Sequence, residues 1–227
     1  MKKLLVYFAF ALFVLGCSKE DSLQKQSISP VIHNPAMAKS GNSASSQQTD
    51  VINGVTGDLV GTAHLVRNKN GIKVTFTAND LTPGFAYTLW WVIWNRPENC
   101  ANPHACGDDL DFGNPDVGTE VLYAGGHVVG ASGKGSFSGH LNEGSIKGSI
   151  NDIFGLPPAE GLENAMHAEV HAVLRNHGPA VPGEVNAQIN SYPGGCEVDL
   201  GLFMEIPDEV GECADTHFAI FSSPNAP

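Results

Sequence analysis

The segment His167-x-Glu169-x-His171 places three side chains that can bind metals at alternate positions. Alternate residues of a β-strand project from the same face of a sheet, so the two imidazoles and the carboxylate are expected to lie side by side. Nitrogen and oxygen ligands in this arrangement suit a divalent transition metal when another strand supplies one more group. His127 and His217 lie in other predicted strands and are the candidates for that group.

The same segment also fits the polar outer face of an amphipathic strand. The intervening and following residues Ala168, Val170, Ala172 and Leu174 are apolar and are expected to face the core. In this interpretation Glu169 hydrogen-bonds to the neighbouring histidines and no metal is involved. We favour this interpretation and keep the metal site as the alternative.

Three tryptophans occur in the apolar segment at residues 85–94. Trp90 and Trp94 share one face of the predicted strand, and Trp91 takes the other. Exposed, Trp90 and Trp94 would form a stacking platform for a sugar or another flat ligand. Buried, they would belong to the core, and their apolar neighbours favour that interpretation.

A short acidic stretch follows Cys106, where four of the nine residues at 108–116 are aspartates. Carboxylates on a short loop can bind calcium, but no glutamate closes this stretch at the offset that a twelve-residue calcium loop requires. An exposed acidic loop is therefore expected. The sequence also lacks the Gly-x-Ser-x-Gly, phosphate-loop and His-Glu-x-x-His motifs, which argues against the enzyme classes that depend on them.

The elements that position these groups follow a period of two. Residues 72–79 alternate apolar and polar side chains, as in a strand with one buried face. Residues 85–94 are apolar on both faces, as expected for a central strand. Further strands are predicted at residues 59–67, 119–130, 135–141, 165–176 and 216–221, with short helical candidates such as residues 184–189. Seven or eight short strands joined by turns predict an all-β fold, an antiparallel β-sandwich with Greek-key connections.

Four cysteines, Cys100, Cys106, Cys196 and Cys213, lie in the predicted folded part. An even number in an exported chain indicates two disulfides with three alternative connectivities. Pairing of Cys100 with Cys106 and of Cys196 with Cys213 is favoured, because each pair brackets a turn-rich loop. Zinc ligation is the alternative, but the spacings do not match the paired short knuckles of structural zinc sites.

The N-terminus has the pattern of an export signal. Two lysines precede an apolar run at residues 4–15 that is too short to span a bilayer, for which roughly 20 residues are needed. Val-Leu-Gly at residues 14–16, followed by Cys17, resembles the lipobox of bacterial lipoproteins. The resemblance implies a signal peptide at residues 1–16 and a lipid on the thiol of Cys17 that holds the protein on a membrane surface. An ordinary signal peptide with a chance cysteine is the alternative.

Residues 17–50 are expected to form a lipidated, flexible tether, because they are rich in Ser, Gln and Asn and have little to bury. Ser-Lys-Glu-Asp at residues 18–21 resembles the export signal that sends lipoproteins of Bacteroidetes-type bacteria to the outer face of the outer membrane. A charged tether without targeting meaning is the alternative. The β-sandwich domain is then expected at residues 51–227.

The charge balance limits the class of partner. Acidic residues outnumber basic ones 24 to 12, which gives a formal net charge of −12. A nucleic-acid binder normally presents a basic face, so that class is disfavoured. The acidity also argues against binding to anionic lipid headgroups.

Three segments resemble parts of a known family. Residues 80–89, with Pro83-Gly84, are similar to the turn and strand of copper/zinc superoxide dismutases and chordin-type domains. Residues 126–135 are similar to the turn and strand that follow the dismutase metal loop, and residues 170–173 to the strand with a late histidine ligand. The dismutases place two copper-ligating histidines on the strand after the Pro-Gly turn, whereas residues 89–94 contain none. The resemblance therefore implies the fold but not the usual copper site.

Together these features predict a lipid-anchored cell-envelope protein with a binding or structural role. Its ligand would be a small molecule, a glycan or a protein. The alternative is a metal-binding protein or metal-dependent enzyme built on His167, Glu169 and His171.

Overall fold

The structure is a computed structural model, which describes residues 44–107, 109–194 and 213–224. These residues form eight strands: β1 (Ser45–Asn53), β2 (Leu59–Asn68), β3 (Gly71–Ala78), β4 (Phe85–Trp94), β5 (Thr119–Val128), β6 (Gly135–Asn142), β7 (Glu169–Pro179) and β8 (Ala214–Phe221). The helices are short: α1 (Asp109–Phe112), α2 (Val185–Gln188) and 3₁₀ turns at Pro97–Asn99 and Asn151–Phe154. In this part of the chain no helix has the length and apolar character needed to cross a bilayer. The prediction of an all-β fold is confirmed.

Neighbouring strands are antiparallel, and their order across the sheet is β5-β4-β7-β8-β1-β2-β3-β6. β7 returns to lie beside β4, which is the arrangement of a Greek key. The two outermost strands approach each other, since a Cβ atom on Gly139 of β6 would lie 2.8 Å from the Cβ of Ala124 in β5. The antiparallel strands therefore form one sheet that curls until it nearly closes.

Alternate residues of the strands fill the interior. On β3, Ile72, Val74 and Phe76 are buried, whereas Lys73 and Thr75 between them are exposed. This alternation follows the pleat of a strand whose other face meets solvent. The predicted strand at residues 72–79 is thereby confirmed.

The central strand β4 is buried on both faces, as its sequence predicts. Trp91 belongs to the interior core. Trp90 and Trp94 belong to a second apolar cluster outside the sheet, together with Cys100 and Cys106 from the chain that follows β4. The connection between β4 and β5, called here the β4–β5 loop, therefore covers the outer face of β4.

β1 begins at Ser45, six residues before the expected domain start at residue 51. Residues 45–50 thus belong to the sheet and not to the tether. The reason is that the polar side chain of Gln47 has partners: it accepts from Arg67 Nε at 3.0 Å and donates to the Ser222 carbonyl at 3.0 Å. The predicted signal peptide, Cys17 and residues 18–43 lie outside the described residues.

Arg67 lies at the end of β2, in line with the interior residues Ala63 and Leu65, and is fully buried. Its guanidinium donates hydrogen bonds to Gln47 Oε1 and to four backbone carbonyls, those of Ala165, Ala168, Phe221 and Ser222. Burial lowers the pKa of Arg67, and attraction from Glu169 opposes that shift. A single charged side chain on β2 thus joins β1, β8 and the segment that precedes β7 at this end of the nearly closed sheet, which is called the barrel below.

Candidate functional site

The β4–β5 loop is closed by a disulfide between Cys100 and Cys106, which confirms that predicted pairing. Cys213 is also disulfide-bonded. Cys196 lies outside the described residues, so its pairing with Cys213 stays a prediction.

Asp111 accepts backbone hydrogen bonds at both ends of the disulfide-closed segment. Its Oδ1 accepts from the Ala101 N–H at 2.6 Å, and its Oδ2 accepts from the Gly107 N–H at 3.1 Å. The residue is 1% exposed. The expectation of an exposed acidic loop is therefore wrong for Asp111, because its carboxylate is used to satisfy backbone amides inside the loop.

Glu169 and His171 form a buried pair on the outer face of β7, beneath this loop. The Oε1 atom of Glu169 accepts from the Cys106 N–H at 3.1 Å and from His171 Nε2 at 2.8 Å. Glu169 is 1% exposed and His171 is 8% exposed. The predicted sharing of one strand face by these two residues is confirmed.

Trp94 covers the same pair from β4. Its ring lies 4.2 Å from the imidazole of His171, centroid to centroid, and the residue is the cross-strand partner of Glu169. Two buried polar atoms of these residues have no hydrogen-bond partner within the described part of the chain: Nε1 of Trp94 and Oε2 of Glu169. The site therefore holds one unpaired donor and one unpaired acceptor on directly paired residues.

His167 does not join Glu169 and His171. It lies before β7 in a turn, where the Asn164 carbonyl accepts from the His167 N–H at 3.0 Å. Its Nε2 contacts Glu98 Oε2 at 2.9 Å near the surface. The predicted alignment of three ligands on one strand face is wrong for His167, because β7 begins at Glu169, two residues after this histidine.

His127 lies at a different level of the sheet from His171. It is opposite Tyr87 on β4, whereas His171 is opposite Val92, which separates them by roughly 16 Å along the strand. The His127 ring stacks on Phe137 at 4.2 Å. Burial lowers the pKa of His127.

His217 is used in another contact. Its Nε2 lies 3.0 Å from Asp80 Oδ1. Burial lowers the pKa of His217, and Asp80 opposes that shift. Throughout the described ranges, no group of three or more potential metal ligands within 4.8 Å of one another includes any histidine. The alternative metal site, His167, Glu169 and His171 with His127 or His217, therefore does not assemble among the described residues.

The copper site of the dismutases does not fit this surface. The outer face of β4 opposite His171 carries Trp90, Val92 and Trp94, all of them buried in the second apolar cluster. None of these side chains is a copper ligand. This stretch of β4 therefore offers no copper ligand of its own.

Trp90 and Trp94 do not form an exposed platform. They are 2% and 3% exposed, respectively. Trp90 packs edge-on against the rings of Tyr123 and Tyr192, with centroid distances of 5.6 and 5.5 Å. The stacking-platform prediction is wrong, and the core interpretation is confirmed, because loops outside the sheet bury this face.

A chain of hydrogen bonds leads from Trp90 to His177. Trp90 Nε1 donates to Thr88 Oγ1 at 2.7 Å, and the same oxygen lies 2.7 Å from His177 Nε2. Burial lowers the pKa of His177 to about 4, with a further contribution from Arg175. The imidazole is therefore neutral near pH 7.

A second buried network was not predicted. Arg175 donates from Nε to the Tyr192 carbonyl at 3.0 Å and lies 4.0 Å from the centroid of the Tyr192 ring. It also pairs with Asp215 at 3.2 Å. Burial raises the pKa of Asp215, and Arg175 opposes that shift. The signal that could have revealed this network is the outer face of β7, where ionisable residues occupy the alternate positions from Glu169 to His177, with Val173 as the exception.

Comparisons with known proteins add little to this description. No family model matches the sequence, and a search of curated proteins finds no match. Among solved structures, a SOD-like protein from Bacillus subtilis has a TM-score of 0.28 and 16% identity, covering 83% of this chain and 99% of its own. A point mutant of a SOD-like protein from the same organism has a TM-score of 0.29 and 16% identity, covering 76% and 95%. These are weak structural neighbours, and the all-β assignment rests on the strand pairing itself.

Proposed function

We propose that the chain is a lipid-anchored cell-envelope protein whose barrel serves as a binding or structural module. The anchor is supported by the lipobox-like sequence ending at Cys17 and by the preceding export-signal pattern. The tether signal after Cys17 favours the outer membrane and exposure at the cell surface. The ligand would be a glycan, a small molecule or another protein of that environment.

The observation that supports a binding or structural module is that the side chains able to do chemistry make contacts with loop residues. Glu169 binds the backbone of Cys106, His167 contacts Glu98, and His217 contacts Asp80. Each contact joins a residue on or beside a strand to a residue in a loop. Polar groups used in this way fix loop conformation, which suits a rigid scaffold that presents loops for recognition.

The β4–β5 loop is the surface we assign to recognition. Residues 101–103 are exposed and lie in the segment that the Cys100–Cys106 disulfide closes. His104 next to them has a positive φ of 62°, which residues other than glycine adopt infrequently. Backbone conformations of this kind are found disproportionately at binding and catalytic sites.

The anchor is tested by metabolic labelling with an alkyne fatty acid in cells that express the full chain. We expect a labelled protein in the membrane fraction that external protease digests on intact cells. A Cys17→Ala variant should lose the label and leave the membrane. Labelling that persists in this variant would contradict the anchor.

The recognition surface is tested with a glycan array and with cross-linking to envelope proteins. We expect a double variant, Asn102→Ala with Pro103→Ala, to lose the ligands that the wild type captures. The matched control is Lys69→Ala in the exposed β2–β3 turn, which should bind like the wild type. Equal binding by the loop variant and the control would exclude the β4–β5 loop as the surface.

A metal-binding function is the second candidate, and one observation favours it. Oε2 of Glu169 is buried and unpaired beside the imidazole of His171. A cation at this oxygen would satisfy it. Untagged protein should then contain about one equivalent of a transition metal, and Glu169→Gln should lose it. A metal-free protein whose Tm does not respond to zinc or copper would eliminate this candidate.

A further inference from the structure

The surface contact between His167 and Glu98 has the spacing of two ligands on one metal ion. Nε2 of His167 lies 2.9 Å from Oε2 of Glu98. Ligand atoms at about 2.1 Å from a zinc ion lie roughly 3.0 Å apart at a right angle and roughly 3.4 Å apart at the tetrahedral angle. A cation can therefore replace the shared hydrogen with only a small movement of either side chain. Such a contact is also an ordinary hydrogen bond, so its neighbours decide what it can do.

A second imidazole, that of His104, lies beside this contact. The His104 N–H donates to the Pro97 carbonyl at 2.9 Å, which brings His104 next to the residue that precedes Glu98. The pKa of Glu98 is lowered: burial opposes the shift, whereas hydrogen bonds from its own N–H and from His167 cause it, and attraction from His167 and His104 adds to it. The carboxylate of Glu98 therefore interacts with two imidazoles.

One nitrogen of the His104 imidazole has no hydrogen-bond partner among the described residues. This atom, Nδ1, is buried. A buried polar atom without a partner is unfavourable, so the present position of the ring costs free energy. That cost is removed when the ring turns toward a cation and the nitrogen becomes a ligand. The unpaired Nδ1 is therefore an observation that points to a ligand independently of the contact between His167 and Glu98.

We propose that Glu98, His104 and His167 together bind a divalent transition-metal cation, with Zn²⁺ as the reference ion. Two imidazole nitrogens and one carboxylate oxygen are accepted ligands of zinc, and water completes the tetrahedral set. The ligand atoms of the three residues do not all lie within 4.8 Å of one another in this structure. The cation therefore binds first between Glu98 and His167, and the ring of His104 turns toward it.

The surroundings of these residues permit binding. The side chains of His167 and Glu98 are 33% and 46% exposed, so a cation reaches them without opening the sheet. The Cys100–Cys106 disulfide limits the movement of the segment that carries His104, so less ordering entropy is lost when the ligands assemble. The formal net charge of −12 attracts cations to the protein. This site shares no ligand with the buried Glu169–His171 candidate and does not depend on the proposed recognition role of the loop.

The test is a Zn²⁺ titration of the untagged full chain with its disulfides intact, measured by competition with a chromophoric chelator. Three variants remove one ligand each: Glu98→Gln, His167→Gln and His104→Asn. Asparagine is chosen at residue 104 because it tolerates the positive φ of this position. We expect each variant to weaken Zn²⁺ binding at least tenfold. Wild-type affinity in any one of the three would overturn the three-ligand site.

The matched control is His64→Gln, at an exposed position of β2, which should bind Zn²⁺ like the wild type. Glu169→Gln should also bind like the wild type. Loss of binding in Glu169→Gln would assign the metal to the buried pair and overturn the proposal.

A measurement on the unaltered protein makes the test independent of how the variants fold. In a histidine-selective NMR spectrum, Zn²⁺ should shift the ring resonances of His104 and His167 and leave those of His127 and His217 unchanged. Shifts confined to His171, or no shift of any ring, would overturn the proposal.

Discussion

Trp94 in β4 and Glu169 in β7 are direct cross-strand partners, and each buries one polar atom that has no hydrogen-bond partner among the described residues. Nε1 of Trp94 is a hydrogen-bond donor and Oε2 of Glu169 is an acceptor, so the two residues contribute one unused group of each kind. An unsatisfied buried polar group costs about 1–3 kcal/mol. An ordered water that reaches either atom would satisfy it.

Trp94→Phe and Glu169→Gln are expected to be energetically coupled. Each change removes one side of the shared arrangement, so the double variant should differ from the sum of the single variants by about 0.5–3 kcal/mol. Urea unfolding of the four proteins measures this coupling. The control pair is Trp91→Phe with Glu169→Gln, because Nε1 of Trp91 is also unpaired but lies in the barrel interior. Coupling of the same size in the control pair would contradict the interpretation.

The free energy of unfolding should fall as the pH decreases from about 6.5 to 4. Burial lowers the pKa of His177 to about 4 in the folded state, so in this interval the unfolded chain binds a proton that the folded chain excludes. The loss amounts to at most about 3 kcal/mol. Burial lowers the pKa of His217 and His127 in the same direction.

Urea unfolding at several pH values checks this slope. His177→Gln should reduce it, and His64→Gln, at an exposed position of β2, should not. A slope that is the same in His177→Gln and in the wild type would show that another group causes the acid sensitivity.

Arg67→Lys should destabilise the barrel even though the charge is kept. Lysine has three donors in place of five and cannot reach both the carbonyls before β7 and those at the end of β8. With buried carbonyl groups left unsatisfied, we expect a loss of about 2–4 kcal/mol in the free energy of unfolding. Lys134→Arg at an exposed site is the control and should change it by less than about 0.5 kcal/mol. A loss below that limit for Arg67→Lys would refute the role assigned to the guanidinium.

Tryptophan fluorescence should report a buried environment for all three tryptophans. Trp90, Trp91 and Trp94 are the three tryptophans of the chain and are at most 3% exposed. We therefore expect blue-shifted emission and almost no quenching by iodide, which does not enter apolar interiors. Urea-unfolded protein, in which iodide can reach all three tryptophans, provides the reference for complete accessibility. A quenchable fraction near one third in the folded protein would indicate that one of the rings is accessible.

The strands were predictable where apolar and polar side chains alternate, because this alternation indicates which face is buried. β3 has this pattern, and β4 is apolar on both sides because loops cover its outer face. β1 was missed at its start, because Gln47 is polar and its partners, Arg67 and Ser222, lie far away in the sequence. No local pattern records such a contact.

The candidate site was only partly predictable for the same reason. The pairing of Glu169 with His171 follows from strand geometry, and the structure confirms it. The position of His167 depends on a turn fixed by Asn164, which a period of two does not reveal. The burial of Trp90 depends on Tyr123 and on a segment that returns about 100 residues later in the sequence, so it required the fold itself.

The position of β1 bears on how the molecule would respond to mechanical tension. A pull on the chain from its N-terminal side enters the sheet at Ser45, opposite Arg67, and would peel the β1–β2 ladder one pair at a time. The first long-range side-chain contacts that this pull would load are the hydrogen bonds of Gln47 to Arg67 and to Ser222. Resistance to such a pull would then depend on this glutamine and arginine before any of the apolar interior is disturbed.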